Sequence, residues 1–180
     1  MKKDTIVQFV GFITRLDFDE FVTKWEHYAK QFMADPEEMI LQQGSGTSRY
    51  KYLSQQECPE DDFRFAFMKG RNSEHFAEHK VKVAQTGGYI PMQVQCKHAQ
   101  KGDVKVIAFV SHNENDISFY SRLSLYRHLN IYQAYYESCA YAYILEYFTP
   151  EKDVAELLQQ LKTKIGTEAA LYKECLVPKV

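Results

Sequence analysis

The hexapeptide VQFVGF at Val7–Phe12 has an ungapped counterpart in VKVIAF at Val104–Phe109. Both are rich in β-branched and aromatic residues, the composition of a strand. In an extended chain Val7, Phe9 and Ile13 fall on one side and Val10 and Phe12 on the other. A strand apolar on both faces must be covered on both faces. The correspondence extends outward from these hexapeptides. YKYLSQQEC at Tyr50–Cys58 lies over IYQAYYESC at Ile131–Cys139. Phe63, Phe65, Phe67 and Phe76 lie over Tyr141, Tyr143, Leu145 and Val154 at one constant offset. Self-similarity in the same order along the chain marks a tandem repeat.

Between these anchors the pattern alternates strands with helices. Residues 5–14 read as a strand. Residues 18–33 carry a helical stripe of Phe18, Phe21, Val22, Trp25, Ala29 and Phe32, with Pro36 as a stop. Residues 39–43 are ambiguous, and Gly44–Ser48 is a loop. Residues 49–57 and 63–69 read as an antiparallel pair. Residues 73–85 read as a helix closed by Gly87 and Gly88, and residues 89–98 as a strand. The second half gives a strand at 104–111, a short helix at 116–127, and strands at 130–138 and 141–148. A helix then starts at Thr149 and Pro150, and a last strand covers 169–176. Each half has the order β-α-β-β-α-β, the split βαβ or ferredoxin-like unit. The expected fold is therefore α+β, with one ferredoxin-like repeat in residues 1–100 and a second in 101–180. A sheet with both helices on one side leaves its other face bare, and two such sheets can cover each other by closing into a barrel. Two repeats in one chain can do this internally, as a pseudo-dimer. The expectation is a monomer, with a weak homodimer through outer surfaces compatible with it.

Composition narrows the partners. The net charge is -2, and no basic run exists to meet nucleic acid or an anionic membrane. Gln8, Arg15 and Asp17 interrupt the apolar start too early for a signal peptide or a spanning helix, so a cytoplasmic location is expected. Cys58, Cys96, Cys139 and Cys175 form no CxxC pair and suggest reduced thiols. The 13 Tyr and 12 Phe suit strands, and equally a lined cavity whose hydroxyls need partners.

With its repeated β-α-β-β-α-β order and the stretch NSEHFAEHK at residues 72–80, the chain resembles the dimeric α/β-barrel superfamily. Within that superfamily it is most similar to the antibiotic-biosynthesis-monooxygenase group. The group's E-x-F-x-x-H run is matched by Glu74, Phe76 and His79. The resemblance implies cofactor-free monooxygenases, isomerases or haem-degrading enzymes, with the matching histidine lining a pocket between helices and sheet.

His79 is the leading candidate for chemistry. On its helix it falls on the apolar stripe, where the other half has Leu157. Its role would be acid/base catalysis with a Tyr as hydrogen-bond partner. The plainer alternative is a core histidine satisfied by a carbonyl or hydroxyl. His75 stands four residues earlier, a spacing that suits metal, but no third ligand is indicated, so no metal site is assigned. His75, Trp25, Tyr50, Tyr52 and Arg64 are candidate ligand-binding residues, with Arg49 beside Tyr50. Strict alternation would send Tyr50 and Tyr52 to one face and Arg49 to the other. The pocket is expected in the first half, between the 73–85 helix, the 18–33 helix and the sheet. The expected function is small-molecule binding, as a cofactor-independent monooxygenase or isomerase of an apolar or aromatic metabolite. The alternative is a non-catalytic ligand-binding or haem-binding protein, with His79 or His75 as axial ligand.

Overall fold

In the computed structural model residues 5–32, 39–59, 80–114, 116–164 and 167–175 are described. The first half contributes β1 (Thr5–Thr14), α1 (Phe18–Phe32), β2 (Ile40–Gly44), β3 (Tyr52–Pro59) and β4 (Val81–Gln93). The second contributes β5 (Asp103–Val110), α2 (Ser118–Ser121), β6 (His128–Ala134), β7 (Tyr143–Pro150), α3 (Val154–Thr163) and β8 (Thr167–Cys175). The eight strands form a closed barrel in the order β1-β3-β2-β8-β5-β7-β6-β4. Every adjacent pair is antiparallel. Among the described strands closure leaves no edge without a neighbour. The halves meet at two seams, β2 with β8 and β4 with β6.

The alternation of β1 explains the layers. Val7 and Phe9 point into the barrel, where they join Leu53, Tyr89, Ile107, Phe109, Tyr132, Ile144 and Tyr172. Val10 and Phe12 point outward against α1, into a cluster with Phe21, Trp25 and Tyr52. The counterpart outer cluster packs Val106, Ala108, Leu145 and Tyr147 against Leu157 and Leu161 of α3. α1 starts on a reciprocal cap. Asp17 Oδ1 accepts from the Glu20 N–H at 2.9 Å and Glu20 Oε2 from the Asp17 N–H at 3.3 Å.

Several boundaries differ from the sequence reading. Residues 40–43 of the stretch 39–43, ambiguous by pattern, belong to β2, which is the hairpin partner of β3. The 63–69 segment lies outside the described residues. Of the expected 73–85 helix, residues 73–79 lie outside as well, while Val81 onward belongs to β4. There Val81, Lys82 and Val83 pair with Thr14, Ile13 and Phe12 of β1. Pairing with a two-faced apolar strand overrides the helical spacing. Lys80, at φ 60°, begins the segment. Thr149 and Pro150 end β7 instead of opening α3, and the Thr149 hydroxyl donates to the Leu125 carbonyl at 2.6 Å.

Candidate functional site

The two ends of the barrel are built differently. At one end the linker between the halves is tied down across the strands. Asn130 Oδ1 accepts from the backbone N–H groups of Gln95 (2.8 Å) and Cys96 (3.2 Å), and its Nδ2 donates to the Cys96 carbonyl at 2.6 Å. His98 Nδ1 lies 3.0 Å from Glu174 Oε2. Beneath this plug is a buried ionic cluster. The Lys105 ammonium donates to Gln42 Oε1 at 2.8 Å and lies 3.0 Å from both Glu146 Oε2 and Glu174 Oε1. Lys105 and Glu146 side chains are each 1% exposed. Gln55 links Gln42 to the Tyr132 hydroxyl, and burial, reinforced by Glu146, pushes that phenol far up. A buried charge persists only when it is paired and hydrogen-bonded; here the ammonium is paired with two carboxylates and donates to Gln42, and Glu146 Oε1 accepts from Asn130.

The opposite end is open and aromatic. The Phe109 ring packs against Tyr141 (4.8 Å), Tyr50 (5.4 Å) and Tyr172 (6.3 Å). Tyr50 reaches the interior because the chain bends at Lys51 before β3 begins, and because Gly11 leaves room for its ring. The Tyr50 and Tyr141 hydroxyls are 2.8 Å apart. Tyr141 donates to Glu168 Oε2 at 3.2 Å and accepts from Arg49 Nη1 at 3.1 Å. Arg49 Nη1 also donates to both Glu168 oxygens at 3.3 Å, and the guanidinium sits 5.7 Å from the Tyr50 ring centroid. Burial first, then the Tyr50 hydroxyl, raises the Tyr141 phenol well above its ordinary value, so it stays a neutral donor. Burial also raises Tyr50. The two tyrosines thus fix Arg49 and Glu168 on the rim.

A pocket of about 310 Å³ opens there, lined by Thr47, Arg49, Phe109, Lys162, Glu168, Ala169, Ala170 and Tyr172. That volume is at the lower end of small-molecule sites. Thr47 and Arg49 come from the first half and the rest from the second. Among the described residues no group of three His, Cys, Asp or Glu is arranged to hold a metal, and no helix is long and apolar enough to cross a membrane.

The residues singled out from sequence are distributed unequally. His75, His79 and Arg64 lie outside the described residues. Trp25 and Tyr52 are buried in the outer cluster under α1, where Phe21 stacks on Tyr52 at 4.1 Å. Tyr50 faces inward, so Tyr50 and Tyr52 are on opposite faces, not the same one. The bend at Lys51 breaks the alternation. Arg49 and Tyr50 come together at the rim. Tyr141, Glu168 and Lys162 carry no motif in the sequence. Their only sequence signal is Tyr141, which lies over Phe63 when the two stretches of sequence are aligned, a hydroxyl where Phe63 has none.

Comparison with known proteins agrees on architecture. No family model matches the chain, and no curated protein matches it. Among solved structures it is similar to an anthrone oxidase-like protein, at TM-score 0.55 and 11% identity, over 97% of this chain and 92% of that one. A match to the first two RRM domains of yeast poly(U) binding protein has TM-score 0.30 and 11% identity, over 94% of this chain and 99% of that one, and carries no structural argument. The protein is thus of the α+β class with a closed eight-stranded antiparallel barrel.

Proposed function

We propose that the protein is a small-molecule-binding barrel that takes a flat, ring-bearing ligand in the rim pocket. The observation that carries this reading is the Tyr50–Tyr141–Glu168–Arg49 chain, which holds a cation and a carboxylate in fixed positions beside the pocket's aromatic floor. A ring would lie on Phe109 and Tyr172 against the small walls of Ala169 and Ala170, and the charged rim would orient its polar group. Calorimetric titration with naphthalene-type ring compounds tests this. Saturable binding is expected, together with its loss in Ala169→Leu, which fills the pocket from a half-buried wall, and weakening in Tyr141→Phe, which removes the hydroxyl that ties the Arg49–Glu168 pair to the barrel wall. Binding unchanged in both variants would overturn the reading.

The strand order supports a finer architectural proposal. Each half runs fourth-first-third-second, as β4-β1-β3-β2 and β8-β5-β7-β6. We read this as two ferredoxin-like repeats forming a monomeric pseudo-dimer. An enzymatic form of the reading is favoured by Glu168, a carboxylate that lines the pocket and has a phenol donor. With an anthrone, the ring ketone named for the structural neighbour, Glu168 would take a proton from the ring methylene. Dioxygen would then oxidise that carbon to a carbonyl and leave as water. Oxygen uptake with anthrone, lost in Glu168→Gln, is the expected result. His79, His75 and Arg64 enter this proposal only through the motif and the repeat.

A further inference from the structure

The rim charges are unbalanced and partly unspent. Among the described residues the hydrogen bonds of Arg49 are made by Nη1, to Tyr141 and to both Glu168 oxygens. The Nε–Nη2 edge of the fork is therefore uncommitted among the described residues, while Nη1 and the Tyr50 ring hold the guanidinium in place. Such an edge matches a planar carboxylate with two parallel hydrogen bonds. Lys162, in the last turn of α3, lines the same pocket and makes no ion pair or hydrogen bond with a described residue. Two cations face one carboxylate, Glu168, leaving one positive charge to be balanced. The floor of Phe109 and Tyr172 and the alanine walls accept a ring but offer an anion no partner.

We infer that the rim pocket prefers an aromatic carboxylate to a neutral ring, with the acid between Arg49 and Lys162 and the ring over Phe109 and Tyr172. The inference rests on the ring-binding reading above and adds the charge of the ligand and the residue that selects it. A single negative charge neutralises the rim. A phosphate monoester would bring a second charge against Glu168 and is disfavoured. Lys162 reaches the acid from solvent and acts as a specificity-determining residue, while Arg49 supplies the directional contact.

Calorimetry on the full chain with naphthoate, its neutral isostere naphthamide, and naphthyl phosphate tests this. Naphthoate should bind about tenfold tighter than naphthamide, the scale of one charge-assisted bidentate contact. Lys162→Gln should weaken naphthoate about threefold, as for a solvent-exposed ion pair, and leave naphthamide unchanged. Arg49→Lys keeps the charge but loses the fork, and should remove most of the preference for naphthoate. Naphthamide binding as well as naphthoate, or naphthyl phosphate binding better, would overturn the inference while leaving the ring-binding reading in place. If none of the three binds, both fail.

Discussion

Replacing Lys105 by Met should destabilise the protein more than most single substitutions. The change keeps the length of the side chain and removes its charge. The ammonium is within 3.0 Å of two carboxylate oxygens, and its side chain is 1% exposed, as is that of Glu146. Glu146 keeps its hydrogen bond from Asn130 Nδ2 at 3.1 Å, but loses the only cation beside it among the described residues. Removing one partner of a buried pair costs about 3–5 kcal/mol, because the other charge is left uncompensated. For a chain of this size that corresponds to a fall in Tm of roughly 6–20 °C. Urea unfolding followed by circular dichroism, with calorimetry for Tm, gives the number. Lys105→Met/Glu146→Gln removes the stranded charge and should recover more than half the loss, which a double-mutant cycle would show as strong coupling. If Lys105→Met cost under about 1 kcal/mol, the worth of an exposed pair, the cluster would be hydrated and the reasoning wrong. Additive losses in the double variant would mean that packing, not charge, was responsible.

Two further outcomes follow from the same barrel. Burial holds Tyr132, Tyr141, Tyr147 and Tyr172 far above the ordinary phenol value and pushes Tyr52 up to about 12. The unfolded chain gives up these protons near pH 10 while the folded one keeps them, so stability should be intact below about pH 10 and fall as pH rises beyond it. Phenolate absorbance should therefore rise in two phases, the later one with loss of circular dichroism, and a single phase near pH 10 with native dichroism would refute this. A Cβ added at Gly11 would overlap three Tyr50 ring atoms, so Gly11→Ala should cost about 1–3 kcal/mol and weaken ligand binding, whereas an unchanged Tm would show that the ring moves freely.

Much of the fold was legible in local pattern. The two-faced hexapeptides at Val7 and Val104 required layers inside and outside one sheet, and the inner and outer clusters are those layers. Both hexapeptides lie in barrel strands, β1 and β5, and periodicity placed α1 and α3. The sequence also contained a quieter sign of the ionic cluster. Lys105 and Glu146 each interrupt an otherwise apolar strand, but nothing local says that two isolated charges will meet. Their meeting depends on the register of β5 with β7 and on β8 bringing in Glu174.

The site depended on tertiary structure almost entirely. Alternation paired Tyr50 with Tyr52, but the bend at Lys51 sent one inward and the other out. Arg49 and Tyr50 come from the β2–β3 connection, Tyr141 from the β6–β7 connection, Lys162 from α3 and Glu168 from β8. These residues are far apart in the chain, and no spacing rule links them. Periodicity records which face of its own element a residue occupies, because that depends on neighbours a few positions away. It carries no information about which elements close a ring, and in this protein closure of the barrel is what brings the cation, the carboxylate and the phenols to one rim.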